Sequence, residues 1–405
     1  MNLEKTKVIN ICDKICLFSI YAVVFFLPIS KAIIESFSYL AIAIFFVKKI
    51  LERKSIPYSY FYSAILIFTG ICLVSVFMSS NSAISARSFL GKIIHRVAFF
   101  FVIADTLNSE RRLKNAIIIL FFSSALLGID GVYQFFTHKD FIRHRPHDFL
   151  PRIYATFPSP SDFGCYLNTA IAFVLVYFFI KLRFKFVRLF VICLFILLFI
   201  CLMLTVSRGA WVAFIASILF MSIWVRFSPL FYMMLGIFIT VLYQFQPYIK
   251  EVLNRFFIFL DVSSVERKSM WEAAWKMFMS RPWLGVGLGT FMFNFRKFVV
   301  PEFSYIAYAH NCYLQILAET GIFGLLSFLS ILVLFFYEGI RMMVKAQRVF
   351  SWYVLLGSLT AILSYSLQMG VDTFFYSVDL GILFWLILGI GIAAAKNLEA
   401  IKIVN

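Results

Sequence analysis

The sequence predicts an all-α polytopic membrane protein, and three observations carry that prediction. Hydrophobic residues make up 62% of the chain, charged residues only 14%, and the mean hydropathy is +0.92. Soluble domains carry roughly 25% charged residues. Apolar runs of about 20 residues, enough to cross roughly 30 Å of hydrocarbon, recur along the whole chain. Basic residues gather in alternate connections between these runs, as expected for the cytoplasmic loops of such a protein.

Hydropathy and flanking charge divide the chain into about twelve predicted membrane spans. One larger connection separates spans nine and ten and is long enough for a small extramembrane domain. We therefore predict membrane helices in 1–245, a helical loop domain in 246–309 and membrane helices again in 310–405. The predicted spans are Ile15–Ile29, Ala32–Val47, Phe61–Met78, Ile93–Leu107, Ala116–Phe136, Phe163–Ile180, Val187–Val206, Ala210–Val225, Leu230–Phe245, Tyr313–Tyr337, Trp352–Met369 and Val378–Ala395.

The basic connections set the predicted orientation and account for much of the charge. Segments such as KKILERK (48–54), SERRLK (109–114) and KLRFKFVR (181–188) place both termini in the cytoplasm. Cytoplasmic loops that face acidic lipid explain much of the net charge of +17, so no nucleic-acid partner is predicted. The seven cysteines show neither a CxxC motif nor a Cys/His metal spacing, which predicts neither a disulfide framework nor a metal site.

Few side chains in the sequence belong to a pattern that is typical of a catalytic or metal-binding site. The chain has no DxD pair, no HExxH motif and no GxSxG elbow, which disfavours a metal-dependent nucleotide-sugar enzyme and predicts no metal or cofactor. What remains is one well-placed imidazole among the five histidines, His310 at the start of a long apolar run, together with several guanidinium groups. A base combined with such cations suits activation of an acceptor hydroxyl while a charged group leaves.

Of the 37 lysines and arginines, the predicted topology places 17 on the outer side, against the positive-inside tendency, and six of these are candidates for binding a ligand. An arginine at the membrane boundary often binds lipid phosphates, but several that converge favour a specific anionic ligand. The planar fork of arginine suits a diphosphate because it makes paired, charge-assisted hydrogen bonds. These candidates for diphosphate binding are Arg87, Lys92, Arg96, Arg152, Arg208 and Arg267.

Three further residues have competing interpretations. Glu319 lies nine positions after His310, on the opposite side of a helix at about 100° per residue, which favours a structural role. Asp372 is a candidate counter-ion for an outer arginine, with a solvated loop aspartate as an even alternative. Trp271 begins a stripe that continues at Trp275, suited to covering sugar or an acyl chain, although core packing is the more frequent explanation.

The glycine-rich stretch WLGVGLGTF (283–291) follows this stripe. Its glycines at 285, 287 and 289 fit neither the phosphate-binding P-loop nor the dinucleotide fingerprint. A turn or a packing contact is therefore the favoured interpretation.

Four motifs give the chain a family resemblance. They are HNCYLQILAETGIFGLL (310–326), TVSRGAW (205–211), SVERKSMWEAAWKMFMSRPWLGVGLGTF (264–291) and, more weakly, RIYATFPSPSDFG (152–164). In the last, Ala155 and Ser161 stand where glycine and asparagine are usual. Together the motifs resemble the O-antigen ligase and polymerase family, whose members move glycan from a polyprenyl diphosphate carrier at the periplasmic face.

The resemblance implies an inner-membrane glycosyltransferase of the GT-C-like class with its active site at the periplasmic face. His310 matches the family's essential histidine and would serve as general base. Arg208 and Arg267 match the arginines thought to hold the diphosphate, and Asn311 and Tyr313 are taken as supporting residues. The implied donor is an undecaprenyl diphosphate-linked glycan, the acceptor is lipid A–core, and a single displacement predicts inversion.

The sequence is also compatible with other functions. Polymerisation of repeat units and transfer to protein hydroxyls use the same chemistry, although a length near 400 residues without an added soluble domain favours the ligase. A flippase for the lipid-linked saccharide also suits twelve spans, but transporters tend to show repeated halves and ionisable groups near the midplane. A structural partner in glycan assembly would not depend on His310.

Overall fold

The structure is a computed structural model that describes residues 3–53, 59–146, 152–180, 184–225, 236, 267–299 and 308–404. Helices dominate this part of the chain, where the β-structure consists of one isolated bridge between Lys139 and Pro146. The predicted all-α class is therefore confirmed.

The α-helices in the described ranges differ widely in length. In chain order they are α1 (Leu3–Phe26), α2 (Lys31–Glu52), α3 (Tyr60–Phe77), α4 (Ser82–Ser88), α5 (His95–Thr106), α6 (Glu110–Thr137), α7 (Pro160–Tyr177), α8 (Lys185–Leu204), α9 (Arg208–Trp224), α10 (Phe291–Phe295), α11 (Cys312–Lys345), α12 (Phe350–Met369) and α13 (Val378–Val404). A π-helix, Phe89–Ile94, joins α4 to α5, and residues 267–280 are also helical.

Polar side chains define where many of these helices begin. A serine or asparagine oxygen accepts a hydrogen bond from a backbone amide in the first turn, which satisfies a donor that has no partner within the helix. The capping residues are Ser30, Ser59, Asn81, Ser109, Ser159 and Asn311.

Seven helices in the described ranges are long and apolar enough to cross a bilayer, namely α1, α3, α6, α8, α11, α12 and α13. Each predicted span except one lies largely within a helix. The exception, Leu230–Phe245, lies outside the described residues apart from Gly236. Of the predicted loop domain 246–309, the structure describes 267–299 and 308–309. The number of crossings and the domain boundaries stay predictions.

Contacts between helix ends define two faces of the bundle: Lys31 at the start of α2 lies 3.8 Å from Asp379 at the start of α13, and Ser351 at the start of α12 donates to Glu110 at the start of α6. We call the face where α12 ends and α13 begins the His310 face, and the other the opposite face. The helices α12 and α13 lie at the centre, where Trp352, Tyr365 and Trp385 are buried. They pack against each other, and α12 also packs against α7 and α9.

The opposite face is held together by a network of alternating charges. The buried Lys48 ammonium lies 2.6 Å from an Asp13 oxygen and 3.3 Å from an Asp105 oxygen. Lys49 lies 2.7 Å from the other oxygen of Asp105, and Arg112 binds Asp13. Because each cation meets a carboxylate from another helix, the network ties α1, α2, α5 and α6 together.

Candidate functional site

His310 lies on the His310 face immediately before α11, with its side chain 39% exposed. Its Nδ1 is 3.1 Å from Oδ1 of Asp372, which follows the C-terminal end of α12. An ionised carboxylate only accepts hydrogen bonds, so it favours the tautomer in which Nδ1 carries the proton. The lone pair of Nε2 is then available as a proton acceptor.

Local contacts hold both residues of this pair in place. The side chain of Asn311 caps α11 by accepting from the amides of Tyr313 and Leu314, at 3.0 and 3.1 Å. The Tyr313 hydroxyl donates to the Ser366 carbonyl at 2.8 Å, which fixes the start of α11 against α12. The Asp372 carboxylate also accepts from the amide of Thr373 at 2.8 Å. Asn311 and Tyr313 therefore position His310 through the backbone.

The partner of Asp372 differs from both sequence-based interpretations. We expected a counter-ion for an outer arginine or a solvated loop aspartate, whereas the structure pairs Asp372 with His310. The two residues are 62 positions apart. Only the packing of α11 against α12 brings them together.

Three of the six predicted cationic residues come close together. The pKa of the Arg152 guanidinium is lowered to about 10, first by burial and then by the positive charges of Arg267 and Arg208. Arg152 thus stays charged at neutral pH beside two other cations. Its Nε donates to the Thr205 carbonyl at 3.1 Å, and the Ile153 amide donates to the Leu204 carbonyl at the same distance. These bonds join the 152–157 segment to the turn that carries Arg208.

The turn that carries Arg208 packs against the loop that carries Asp372. Gly209 follows Arg208, and Val371 precedes Asp372 in the chain. A Cβ placed on Gly209 would lie only 2.8 Å from Cγ2 of Val371, so the backbone at Gly209 packs directly against the Val371 side chain. Arg208 and Asp372 are therefore carried by segments that are in contact with each other.

The other three cationic residues occupy different environments. Arg96 is buried, and its guanidinium donates to the carbonyls of Phe375 and Ser377, at 2.7 Å in the second case. The Lys92 ammonium lies 5.4 Å from the centre of the Tyr376 ring and is attracted by Glu319. Arg87 is exposed on α4. We therefore leave these three out of the site proposed below.

Glu319 is fully buried, and its carboxylate connects α11 to the glycine-rich stretch. Its two oxygens accept from the amides of Gly289 at 2.7 Å and Phe291 at 3.2 Å, and Gln315 donates to it at 3.2 Å. The geometry places this residue in the scaffold, in line with the structural role that its helical phase favours.

The glycine-rich stretch packs backbone to backbone against α11. The amides of Val286 and Gly287 donate to the carbonyls of Ala318 and Glu319, at 2.9 and 3.0 Å. Gly321 has φ 68° and interrupts α11 at this point. A Cβ on Gly285 would lie 2.3 Å from the Glu319 carbonyl carbon, so only glycine allows this approach. The predicted turn or packing role is confirmed.

The tryptophan stripe does not form the core of its helix. Trp271 and Trp275 are 40% and 51% exposed, so the core-packing interpretation is wrong. The buried face of 267–280 consists instead of Met270, Ala273, Ala274 and Met277. Trp271 and Trp275 are thus available for contact with another molecule.

Asp162 was missed by the sequence analysis. Its carboxylate accepts from the Ser159 hydroxyl at 2.8 Å and lies near the charge of Asp372. The signal was present as a serine followed three positions later by an aspartate, a pattern that starts helices. The proximity to Asp372 has no signature in the sequence.

Comparison with family models finds one match. Residues 193–329 match the model described as O-antigen ligase. This range contains Arg208, Arg267 and His310, while Arg152 and Asp372 lie outside it. A search of the curated proteins finds no match to the chain.

Proposed function

We propose that this chain belongs to the O-antigen ligase family and is a membrane glycosyltransferase that moves a glycan from a polyprenyl diphosphate carrier to an acceptor hydroxyl. The observation that carries the proposal is the position of His310, which is half-exposed and paired with Asp372, in a loop that packs against the turn carrying Arg208. One base and several cations at the same boundary supply what such a transfer requires.

His310 acts as the general base. Its Nε2 takes the proton from the acceptor hydroxyl as the oxygen attacks the anomeric carbon of the donor sugar. The charge that develops on the imidazole is stabilised by Asp372, which binds Nδ1 at 3.1 Å. Asp372 is thus a positioning residue that fixes both the tautomer and the orientation of the ring.

Arg152, Arg208 and Arg267 bind the diphosphate of the donor. As the new bond forms, the bond between the anomeric carbon and the phosphate oxygen breaks, and negative charge grows on the leaving diphosphate. Charge-assisted bonds from guanidinium groups stabilise that charge, each by about 1.5–3 kcal/mol. The mutual repulsion of the three cations favours the binding of an anion among them.

The location of the site follows from the chemistry of the donor. The positive-inside tendency assigns the His310 face to the periplasm of a bacterial inner membrane. The polyprenyl chain of undecaprenyl diphosphate keeps the diphosphate at head-group depth, while the sugar extends into water. A residue at the membrane boundary contacts both, and the single attack predicts inversion at the anomeric carbon.

Lipid A–core is the acceptor that we place first. A second lipid-linked glycan as acceptor would make the protein a polymerase, and the chemistry at His310 would be the same. The choice between the two depends on the acceptor alone.

The test is transfer by the purified protein from a polyprenyl diphosphate-linked glycan to lipid A–core, with EDTA present. Wild type and His310→Asn are compared, with His138→Asn as the control because His138 is also exposed and also has a left-handed backbone. Transfer that is lost only in His310→Asn, with donor binding retained, supports the ligase. Chain growth with donor alone indicates a polymerase. A His310→Asn variant as active as wild type refutes the catalytic role.

A further inference from the structure

The helix 267–280 has one face in a protein core and another that is exposed. Met270, Ala273, Ala274 and Met277 pack with Val286 and Phe291. The other side presents Trp271, Trp275 and Met279 at a spacing of four residues, which places them in one stripe along the helix. Large apolar side chains in a contiguous exposed patch indicate a surface that binds something.

Basic side chains flank this apolar stripe. Lys268 and Lys276 are exposed on the same side of the helix. Glu272 is exposed between them, four residues from each, so 267–280 carries three basic residues, including Arg267, and one acidic residue. Tryptophan combined with lysine is typical of helices that lie in the plane of a membrane interface, where the rings contact the acyl boundary and the ammonium groups contact lipid phosphates.

The segment that follows this helix reaches the exposed apolar side of α11. Trp283 is 63% exposed and stacks on Phe323, with ring centres 5.5 Å apart. Phe323 belongs to α11, a helix long and apolar enough to cross a bilayer, where Leu326 and Val333 are also exposed. The aromatic surface therefore extends from the 267–280 helix onto the side of the bundle.

We propose that the exposed face of 267–280 is a membrane-binding surface that lies in the head-group layer on the His310 face. Trp271, Trp275 and Trp283 lie at the acyl boundary of the leaflet, and Lys268 and Lys276 bind the phosphates of anionic lipids. The occupant is bilayer lipid, because the charge of the stripe complements it and the apolar surface leads directly into the lipid-facing side of α11.

This contact would set the depth of the donor site. Arg267 belongs to the same helical segment, so a helix anchored by its tryptophans holds this guanidinium near the head-group layer. The consequence for the donor depends on the proposed transfer activity, whereas the membrane contact itself does not.

Fluorine NMR of the full chain labelled with 5-fluorotryptophan tests the contact. The protein is placed in nanodiscs of phosphatidylethanolamine and phosphatidylglycerol, and resonances are assigned with single Trp→Phe variants. Doxyl groups near the head of the lipid chain should remove most of the intensity of Trp271, Trp275 and Trp283, whereas a soluble gadolinium chelate should have a smaller effect. Buried Trp352 and Trp385 serve as internal references.

The opposite pattern would overturn the proposal. Strong broadening by the soluble chelate would place the stripe in water, and protection from both agents would place it against protein. Either result leaves the transfer activity to be judged by its own assay, so the two proposals fail independently.

A second measurement tests the contribution of Lys268 and Lys276 to the binding of anionic lipids. Replacing phosphatidylglycerol with phosphatidylcholine should weaken the lipid-induced broadening at Trp271 and Trp275. The double variant Lys268→Ser/Lys276→Ser should show weak broadening in both lipids, whereas Lys297→Ser, at an exposed position on another segment, should behave as wild type. Equal broadening of wild type in both lipids would refute the role of the anionic phosphates.

Discussion

His310 and Glu319 stand at the two ends of the first segment of α11, and their environments are opposite. His310 is 39% exposed and contacts one carboxylate, so a ring nitrogen is left for an incoming group. Glu319 is fully buried, and both of its oxygens accept hydrogen bonds from the protein. The same short motif therefore contains an imidazole that is accessible to a substrate and a carboxylate whose hydrogen bonds are all made within the protein.

The two environments depend on each other. The hydrogen bonds of Glu319 fix the glycine-rich stretch against α11 at the point where Gly321 interrupts the helix. The segment from 312 to 320 is thereby held at both ends, by Asn311 and Tyr313 on one side and by Glu319 on the other. A rigid segment keeps the imidazole within reach of Asp372.

The largest effect is expected at His310. His310→Asn should reduce transfer by about 10²–10⁴-fold, the usual contribution of a general base, while the melting temperature stays near that of wild type. Asparagine also tolerates the left-handed backbone, which has φ 45° at this position. Initial rates at matched protein concentration measure this effect, and an active variant would contradict it.

The arginine cluster should show the next largest effect. Arg208→Lys and Arg267→Lys keep the positive charge but lose the planar fork, and each should weaken donor binding or transfer by roughly tenfold to a hundredfold. Arg296→Lys, at an exposed position in another segment, is the matched control. Titration with the lipid-linked donor measures the change, and a comparable loss in the control would contradict a specific site.

A smaller loss of activity is expected at Asp372. Asp372→Asn can no longer stabilise the positive imidazole, and rates should fall by about tenfold to a hundredfold, as for other carboxylates that orient a functional histidine. The effect should appear in kcat with little change in donor affinity. A loss confined to donor affinity would indicate instead that Asp372 serves the arginine cluster.

Substitution of Glu319 should lower the free energy of unfolding and leave the rate of transfer by the folded protein unchanged. Glu319→Ala leaves the amides of Gly289 and Phe291 without their acceptor, at a cost of about 1–3 kcal/mol for each buried donor. Glu399→Ala, at an exposed position near the end of α13, should change the free energy of unfolding by less than about 0.5 kcal/mol. Denaturant unfolding in detergent compares the two variants.

The smallest effect is expected for a substitution at Val206, in the turn that carries Arg208. Val206 has φ 49°, a left-handed conformation that disfavours a β-branched residue, so Val206→Gly should raise the free energy of unfolding by about 1 kcal/mol. Val212→Gly, within helix α9, should not stabilise the protein. A destabilised Val206→Gly variant would show that this side chain contributes more through its contacts than its backbone costs.

The sequence predicted the helices and the position of His310 well, because both depend on local signals. Apolar runs and capping residues define helices over a few turns, and the boundary histidine stands next to such a run. The helical phase also placed Glu319 away from His310. These are properties of neighbouring residues, so a single sequence contains them.

The remaining features depend on long-range packing. The partner of His310 lies 62 residues away, and the arginines at 152, 208 and 267 meet only after three separate segments fold together. The tryptophan stripe was misinterpreted for another reason: a helix at a membrane boundary can be apolar on two sides, so an apolar side chain need not belong to the protein core.

The most direct test of the central claim measures two quantities on two variants, His310→Asn and Glu319→Ala, prepared in parallel. The rate of transfer per folded molecule and the melting temperature are determined for each. We expect His310→Asn to lose at least about 10²-fold in rate with an unchanged melting temperature, and Glu319→Ala to melt lower while its folded fraction stays active. An inactive folded Glu319→Ala beside an active His310→Asn would contradict the account.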